Sequence, residues 1–391
     1  MTTEDAFAFI DEELDELRRR QLWREWRVSD SAPANELLVE GRAYLNFCSN
    51  NYLGLAQDPE VIEAARTATA QYGAGSGAAR LICGTQRPTV ELEESLARFK
   101  GAEAALVFSS GYLANLGAVA SLVGPQDAVI VDRLAHASLL DAARLSRAKL
   151  FVFKHNDLDS LEEQLQKAGK RRRRLIVIDG VYSMDGDIAP LKGIGQLTEK
   201  HDAMLLVDDA HGLGAVGDGG RGTVRLHGVD PARVVQMGTL SKALGSLGGF
   251  IAGPRRLIEL LTNRARPFIF DTALPAAAVA AASKGLELIE REPQRVTRLQ
   301  ENAARLRRGI AALGLDAGGS ETQIIPVIIG DSAKTLHAAE QLRQRGFFVV
   351  GVRPPAVKKG AARLRLTTMA THTPQMLDKL LAALAQLRDE L

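Results

Sequence analysis

The part of the sequence that decides the fold begins Ala203-Met204-Leu205-Leu206-Val207 and then turns polar as Asp208-Asp209-Ala210-His211. A second apolar run, Val234-Val235-Gln236-Met237, leads in the same way into Gly238-Thr239-Leu240-Ser241-Lys242. Both runs are typical of buried strands whose polar residues come only at their carboxyl ends. In open α/β sheets ligands bind at that edge, so this stretch delivers an acid, a histidine and a lysine to one place.

Asp208 and Lys242 together indicate a particular cofactor chemistry. A carboxylate can hold a ring nitrogen protonated and a lysine amine can form a Schiff base with an aldehyde, and pyridoxal phosphate needs both. Asp208 also ends an apolar strand, where a charge is costly unless it is paired. Each residue also has a structural explanation. Asp208 could cap a turn or helix, although Asp209 is better suited to that role. His211 could be a structural histidine in a turn, and Lys242 could simply be an exposed lysine after a strand.

The composition is that of an ordinary globular enzyme with two or three domains, since the chain has 391 residues, 46% hydrophobic and 25% charged. Its formal net charge is only +2, which gives no reason to expect nucleic acid or an anionic membrane as a partner. Two cysteines, Cys48 and Cys83, are too few for a disulfide framework and fit a reducing compartment. Because neither a signal peptide nor a membrane-length apolar run is visible, we expect a cytoplasmic protein.

Short apolar runs alternate with helical patterns from residue 104 onward, which predicts a mainly parallel sheet of seven strands with helices on both faces. The predicted strands are Ala105–Phe108, Ala128–Asp132, Leu150–Phe153, Leu175–Asp179, Met204–Asp208, Val234–Met237 and Gly249–Ala252. The predicted helices between them lie near 112–123, 137–147, 157–169, 190–201 and 254–266. The fold class is therefore α/β.

The flanking segments complete the predicted organisation. Residues 3–27 have the pattern of an amphipathic helix, and a further helix is expected from about Pro59 to Gln71. Beyond Glu292-Pro293 the pattern predicts a smaller α+β domain. Its elements are a charged helix to Leu313, strands Gln323–Ile329, Phe347–Val352 and Arg363–Thr367, and helices Ala333–Arg345 and from Pro374. We divide the chain into an arm (1–59), a large domain (60–285) and a small domain (286–391).

Other polar residues are predicted to reach the same sheet edge. Gly111 and Tyr112 open a helix after a strand, and free amides at a helix N-terminus attract a phosphate, although such turns are common. His136 follows another strand and could stack on a cofactor ring, the alternative being a structural histidine. Ser183 lies past a third strand end.

Two further patterns have simpler explanations. Gly212-Leu213-Gly214-Ala215-Val216-Gly217 matches the dinucleotide fingerprint, but no helix pattern follows it, so we reject a nicotinamide site. Arg171-Arg172-Arg173-Arg174 is either a solvated loop that favours the preceding helix C-terminus or a docking site for an acidic carrier protein. The loop is the favoured interpretation.

Four motifs resemble those of the α-oxoamine synthases, which are fold-type I pyridoxal-phosphate transferases that join an amino acid to an acyl thioester and release carbon dioxide. They are Asn50-Asn51-Tyr52-Leu53-Gly54-Leu55, Asp179-Gly180-Val181-Tyr182-Ser183-Met184-Asp185-Gly186, Val207-Asp208-Asp209-Ala210-His211-Gly212 and Gly238-Thr239-Leu240-Ser241-Lys242-Ala243. The resemblance covers the chain from about residue 40 to its end, with the motifs in the family's order.

The resemblance implies a role for each matching residue. Lys242 is the Schiff-base lysine, Asp208 the partner of the pyridine nitrogen and His136 the stacking ring. His211 and Ser183 lie near the cofactor's phenolic oxygen. The phosphate is held by Gly111, Tyr112 and Thr239, and by Thr272 from the neighbouring subunit of a homodimer. Asn50 and Arg365 bind the amino-acid carboxylate, and Arg353 helps to define the acyl pocket. No metal ion is expected.

The acyl group is indicated by Gly351-Val352-Arg353-Pro354-Pro355-Ala356-Val357 and by Phe268-Ile269-Phe270-Asp271-Thr272-Ala273-Leu274-Pro275. Both resemble the family member that joins L-alanine to a pimeloyl thioester, on coenzyme A or acyl carrier protein, in biotin synthesis. Lys358, Lys359 and Ala361 depart from its usual Pro and Thr, and Leu81-Ile82-Cys83-Gly84-Thr85-Gln86 is similar to the glycine-using branch. A glycine-dependent acetyltransferase is therefore the nearest alternative, ahead of an aminotransferase and a non-catalytic relative.

Overall fold

The computed structural model describes residues 6–20 and 22–388 and is built around three sheets. The strands are β1 (Glu36–Val39), β2 (Arg42–Asn46), β3 (Ala104–Phe108), β4 (Ala128–Asp132), β5 (Lys149–Phe153), β6 (Arg174–Asp179), β7 (Met204–Asp208), β8 (Val234–Thr239), β9 (Gly249–Gly253), β10 (Ile324–Gly330), β11 (Phe347–Phe348), β12 (Val350–Val352) and β13 (Ala362–Thr367).

The central sheet has seven strands in the order β3-β9-β8-β7-β6-β4-β5. All neighbouring strands are parallel except β9, which runs antiparallel to both β3 and β8. Each of the seven predicted strands is present, with ends that differ by at most two residues. The mainly parallel α/β fold is thus confirmed, because strands that are apolar on both sides must be covered on both faces.

Helices supply that cover. They are α1 (Phe9–Arg19), α2 (Pro59–Tyr72), α3 (Arg87–Lys100), α4 (Gly111–Leu122), α5 (Ala137–Ser146), α6 (Leu158–Lys167), α7 (Leu191–Lys200), α8 (Thr223–Leu226), α9 (Arg255–Arg264), α10 (Arg266–Ile269), α11 (Ala276–Arg291), α12 (Gln294–Ala312), α13 (Ser332–Gln344) and α14 (Pro374–Leu387). Helices α4, α5 and α9 share a buried cluster with one face of the sheet, and α6 and α7 share one with the other. Among the helices described here, none has the length and apolarity that crossing a membrane requires.

The C-terminal region forms the predicted smaller α+β unit. An antiparallel sheet in the order β10-β13-β12 packs against α12, α13 and α14 through one buried apolar cluster. The single strand predicted for residues 347–352 is wrong, because β11 and β12 belong to different sheets. β11 pairs with β2 in parallel, and β12 pairs with β13. An apolar run cannot reveal such a change of partner, since both halves are compatible with a strand.

The N-terminal helix is shorter than the pattern over residues 3–27 predicts. It runs only from Phe9 to Arg19, residues 22–28 are not helical, and part of the predicted span lies outside the described residues. No residue of this helix is buried on the chain. Without packing of its apolar stripe, a short helix gains little from further turns.

We propose a domain boundary at the turn between α11 and α12 rather than at residue 285, which lies inside α11. Parallel pairing of β2 with β11 also attaches residues 42–46 of the proposed arm to the small domain. The boundary near residue 59 falls at the start of α2, where Pro59 occupies the first turn and Asp58 caps the Glu60 amide.

Candidate active site

A cavity of about 250 Å³ lies at the carboxyl edge of the central sheet. Seven residues singled out from the sequence line it, namely Gly111, Tyr112, His136, Asp208, His211, Thr239 and Lys242. They come from the ends of β7 and β8, the start of α4 and the residue that caps α5. A larger open groove between α2 and α11 is lined mainly by alanines and other small or apolar residues, with Arg66 as the only charged residue in its lining, so the sheet-edge cavity is the candidate site.

Lys242 and His211 are in direct contact in this cavity. Lys242 Nζ lies 2.8 Å from His211 Nε2, and His211 Nδ1 lies 2.6 Å from the hydroxyl of Tyr52. Burial lowers the pKa of Lys242 to about 8, although the charge of Asp208 acts in the opposite direction. Burial and the positive charge of Lys242 hold the pKa of His211 well below its usual range. The site therefore presents a neutral imidazole beside an amine that loses its proton readily.

Asp208 is held at the end of β7 by two hydrogen bonds. Its Oδ2 accepts from Asn115 Nδ2 at 2.7 Å, and its Oδ1 accepts from the amide of Ala210 at 3.0 Å. Asp179 stands opposite Asp208 on β6. Burial and the negative charge of Asp208 raise the pKa of Asp179 well above its usual range. Asp179 therefore takes up a proton more readily than an ordinary carboxyl group does.

The start of α4 comes close to the neighbouring strands because two glycines meet there. A Cβ on Gly249 would lie 2.5 Å from the Cα of Gly111, and a Cβ on Gly111 would lie 2.7 Å from Cε of Met237. Ser110 caps the helix by accepting from the Leu113 amide. The free amides of Gly111 and Tyr112 at this N-terminus, beside Thr239, are suited to bind an anion.

These groups match what pyridoxal phosphate requires. A carboxylate for the ring nitrogen, an amine for the aldehyde and helix amides for the phosphate all line one cavity, together with the exposed imidazole of His136. Buried Asn115 Oδ1 has no hydrogen-bond partner among the described residues, so an acceptor atom beside Asp208 is available to a bound group. The residues present fit the cofactor.

Asn50, Ser183 and Arg365 do not themselves line this cavity, but hydrogen bonds or charge connect Asn50 and Arg365 to residues in and around it. Asn50 Oδ1 accepts from the Tyr52 hydroxyl at 3.1 Å, and Arg365 Nε donates to the Ser183 carbonyl at 2.6 Å. The Arg365 guanidinium is close enough to act on the pKa of Tyr52, His211 and Lys242. Arg363, two residues earlier, donates instead to Asp185. The structure thus separates one arginine that faces the site from one that joins the domains.

Two further predicted site residues, Thr272 and Arg353, are also not among the residues that line the cavity on this chain. Thr272 is exposed, and its backbone forms a bridge with Ala79. Arg353 donates from Nη2 to the carbonyl of Trp23 at 2.8 Å, in the segment after α1.

In the arginine run at 171–174, Arg172 forms a two-pronged ion pair with Asp127, and Arg174 donates to the carbonyls of His201 and Asp202. These contacts favour the loop interpretation for that run.

The turn that carries His211 is held by a buried ion pair that the sequence did not reveal. Lys100 Nζ lies 2.8 Å from Asp209 Oδ2, and both side chains are almost fully buried. Asp209 also accepts from the amide and hydroxyl of Thr223. The glycine pattern at 212–217 is accordingly a turn fastened to Asp209, as the rejection of a dinucleotide site predicts.

Lys100, Asn115, Asp179 and Tyr52 are the contributors that sequence reasoning missed or left without a role. A usable signal existed only for Asn115, which is polar among the apolar residues of α4. Lys100 ends a helix, where a basic residue is normally explained by the helix dipole.

A second polar cluster fastens the loop that bears Ser183. His155 lies between two carboxylates, with Nδ1 3.0 Å from Asp132 and Nε2 2.7 Å from Asp187. Burial alone would lower the pKa of His155, but the hydrogen bonds and charges of these carboxylates raise it to about 10. The cluster therefore holds a charged imidazole at neutral pH.

We expect this cluster to make stability fall as pH rises above neutrality. The folded pKa of His155 is raised above the unfolded value of 6.5, so its contribution is complete below pH 6.5 and lost as pH approaches 10. Urea unfolding of wild type and His155→Gln from pH 6 to 10 measures it. The stability difference between the two proteins should shrink steadily over that range, and a constant difference would contradict the assignment.

Comparison with known proteins agrees with the geometry of the site. Residues 42–384 match the family of class I and II aminotransferases. The chain is 48% identical over 384 residues to 8-amino-7-oxononanoate synthase of Symbiobacterium thermophilum, covering 98% of both chains. A solved structure of serine palmitoyltransferase (SPT) with PLP internal aldimine superposes with a TM-score of 0.93 at 32% identity, covering 99% of each chain.

A solved 8-amino-7-oxononanoate synthase from Francisella tularensis superposes with a TM-score of 0.78 at 25% identity, over 88% of this chain and 98% of that one. These matches extend over almost the whole chain and include both the large and the small domain. The cofactor is pyridoxal phosphate and the fold is fold-type I. The chain therefore belongs to the class I and II aminotransferase family, and within it to the α-oxoamine synthases.

Proposed function

We propose that this protein is an 8-amino-7-oxononanoate synthase, which joins L-alanine to a pimeloyl thioester with release of carbon dioxide and free thiol in biotin synthesis. The observation that carries this proposal is the near-full-length identity of 48% to a curated relative of that name. The cavity supports it, because the acid, base and anion-binding groups of the reaction lie together there.

When bound, pyridoxal phosphate supplies an electron sink for the negative charge that develops at the substrate α-carbon. Asp208 maintains that sink by placing a fixed negative charge at the end of β7. Lys242 is the base that removes the α-proton, and its lowered pKa suits this task. With a pKa of about 8, far more of this amine is neutral near neutral pH than with the pKa of about 10.4 of an ordinary lysine.

The phosphate is held, in this proposal, by the amides of Gly111 and Tyr112 and by the hydroxyl of Thr239. Thr239 is buried and its Oγ1 donates to the carbonyl of Gly248 at 2.9 Å in this structure, so its hydroxyl would turn from that carbonyl to donate to a bound phosphate. His136 covers the cavity from the end of β4. Its Nδ1 accepts from the Ser138 amide, so the ring orientation is fixed by the cap of α5.

Asn50 and Arg365 are proposed to bind the alanine carboxylate, because a guanidinium matches a carboxylate with two parallel hydrogen bonds. Arg365 is only 9% exposed and its Nε is fastened to Ser183, so it is oriented before the substrate arrives. Arg353 is proposed to help define the acyl pocket, together with the segment after α1 that it contacts.

Arg365→Ala is expected to raise the KM for alanine by about 100-fold, the effect of losing a charge-assisted pair in a partly buried site. Arg365→Lys keeps the charge without the two-pronged geometry and should fall between this variant and wild type. Steady-state kinetics over a range of alanine concentrations measure both. An unchanged KM would move the carboxylate site to another residue, Arg363 first.

A homodimer with shared active sites is part of the proposal. Thr272 is exposed and lies outside this chain's cavity, as a residue that serves a neighbouring subunit must. Large apolar side chains near it are also exposed, including Phe270 at 68% and Ile82 at 79%. A second copy of the chain that covered these side chains would remove from water an apolar surface whose exposure is unfavourable. We further propose a cytoplasmic location, in keeping with two free cysteines.

The experiment that tests the function is a thiol-release assay over a matrix of substrates. Alanine, glycine and serine are each combined with pimeloyl, acetyl and palmitoyl thioesters, on coenzyme A and on acyl carrier protein. The proposal expects alanine with a pimeloyl thioester to have the highest kcat/KM. Preference for glycine with acetyl would indicate the acetyltransferase, and preference for serine with palmitoyl would indicate the activity named for the SPT neighbours.

A further inference from the structure

One loop of the large domain contacts both arginines of the small-domain strand β13. The loop consists of residues 181–188, and a β-bridge joins its two ends. Arg365 Nε donates to the carbonyl of Ser183 in this loop at 2.6 Å. Arg363 lies two positions earlier on β13, and its Nη1 lies 2.5 Å from Asp185 Oδ1. Because alternate residues of a strand point to the same side, both guanidinium groups meet the loop together.

The ion pair between Asp185 and Arg363 has little access to water. The side chain of Arg363 is 6% exposed and that of Asp185 is 26% exposed. Arg363 also donates from Nη1 to the carbonyl of Met184 at 3.3 Å and from Nε to the carbonyl of Ala361 at 3.0 Å. Salt and water screen such a pair less than they screen a pair on the open surface. The pair therefore fixes how β13 lies against the loop.

Further contacts anchor the loop to both domains. The carbonyl of Gly186 accepts from the amide of Glu321 at 3.0 Å and from the hydroxyl of Thr322 at 2.9 Å. Gly186 has a φ of 71°, and a Cβ there would lie 1.9 Å from a carbonyl oxygen of β10, so the approach requires glycine. At the other end of the loop, Asp187 Oδ2 lies 2.7 Å from His155 Nε2. The loop is thus a joint between the domains.

The loop in turn orients the guanidinium of Arg365. Its Nε is engaged by the Ser183 carbonyl, and the guanidinium also acts on the hydroxyl of Tyr52. A guanidinium has five N–H donors, so donors remain for a substrate carboxylate. Two parallel hydrogen bonds to a carboxylate require the two planar groups to be aligned. A shift of the loop would turn the guanidinium plane and weaken this match.

We infer that Asp185 and Arg363 are positioning residues for the amino-acid substrate, because their ion pair fixes the loop that orients Arg365. This inference rests on the proposed function, in which Arg365 binds the alanine carboxylate. Both residues act through Arg365, and neither is a catalytic residue. The ion pair should therefore govern the binding of the amino acid more than the rate of its conversion.

Asp185→Asn tests the inference, since it keeps the size of the side chain and removes its charge. We expect the KM for alanine to rise by about 10-fold, as the loss of a charge-assisted hydrogen bond predicts, with kcat within about 3-fold of wild type. Arg363→Gln, which removes the other charge of the pair, should have the same effect. An unchanged KM in both variants overturns the inference, and so does a loss confined to kcat.

Binding of the amino acid alone provides the second measurement. Alanine is titrated into the holoenzyme without thioester, and the absorption spectrum of the bound cofactor reports its Kd, which should rise by the same factor as the KM. In an Arg365→Ala background, adding Asp185→Asn should raise the Kd by less than about 2-fold further, since the residue through which Asp185 acts is missing. If the two losses multiply instead, the inference fails.

This titration separates the inference from the proposed function. It needs no acyl thioester, and it is made with the amino acid that the thiol-release matrix selects. A different acyl or amino-acid preference would therefore contradict the proposed function, while the effect of Asp185→Asn on amino-acid binding would still decide the inference.

Asp58→Asn is the matched control. Asp58 Oδ2 lies 2.8 Å from Arg295 Nη2, with side chains 10% and 23% exposed, and this pair attaches α12 of the small domain to the start of α2. Asparagine still caps a helix, so α2 keeps its cap. The control should keep the KM for alanine and kcat within about 2-fold of wild type.

Thermal unfolding of each variant separates a change in the site from a loss of folding. A rise in KM in Asp58→Asn equal to that in Asp185→Asn would show that any weakened contact between the domains has this effect, and it would overturn the inference.

Discussion

Lys242→Ala is expected to abolish condensation, with turnover reduced by at least about 10³-fold, and to prevent covalent attachment of the cofactor. The variant loses the amine that attaches the aldehyde and the base that removes the α-proton, so two roles fail together. The fold should persist, because no described carboxylate forms an ion pair with Lys242; its Nζ contacts His211. Borohydride reduction followed by mass spectrometry measures attachment, and thiol release measures turnover.

Lys192→Ala is the control for Lys242, because Lys192 is an exposed lysine on α7 that does not line the sheet-edge cavity. It should retain both the attached cofactor and the full rate. A Lys242→Ala protein that still carried the reduced cofactor and formed product would show that the base and the attachment site are another residue.

Asp208→Asn is expected to reduce turnover by about 10²- to 10⁴-fold while the protein remains folded and still binds the cofactor. The amide has the same shape, its oxygen can still accept from the Ala210 amide, and its NH2 group can donate to Asn115 Oδ1 once that side-chain amide turns over, but it has no charge. Without that charge the ring nitrogen loses its proton and the sink for electrons is weakened. Thiol release with alanine and pimeloyl thioester gives the rate, and the absorption spectrum reports bound cofactor.

Asp179→Asn makes a sharp comparison because it changes a carboxyl directly opposite Asp208. Burial and the charge of Asp208 raise the pKa of Asp179 well above its usual range, so this side chain gives up its charge more readily than an ordinary carboxyl group, and an amide oxygen can still accept from the His136 amide. The turnover of Asp179→Asn should therefore fall by about 10-fold or less. Equal losses in the two variants would mean that shape, and not the charge of Asp208, sustains the rate.

Much of the fold could be predicted because parallel strands leave a strong signal. Runs such as Leu175–Asp179 and Met204–Asp208 are apolar on both faces and end in an acid, so strand and sheet edge are visible together. The glycine at position 111, directly after a strand and at the start of a helix, also allowed the anion site to be predicted. The prediction of a single strand over residues 347–352 was wrong, because an apolar run contains no information about which strand it will pair with.

The less predictable parts of the site are its long-range contacts. Asn115 reaches Asp208 across 93 residues of chain, Lys100 reaches Asp209 across 109, and Tyr52 reaches His211 across 159. None of these pairs follows from spacing along one element, since the partners lie on different elements. Arg363 and Arg365 are equivalent in the strand pattern, and only their contacts assign one to Asp185 and the other to the site.

The sequence by itself determined the sheet, the edge at which it acts, and the acid and lysine that define its cofactor. These are local properties, because the alternation of apolar runs and the polar residue at each strand end are written in consecutive positions. Three features came only from the folded chain: burial brings the pKa of the Lys242 amine to about 8, burial beside Asp208 raises the pKa of Asp179, and the Tyr52 hydroxyl contacts His211. Proton affinity depends on desolvation and on neighbouring charges, and both exist only after distant segments have packed together.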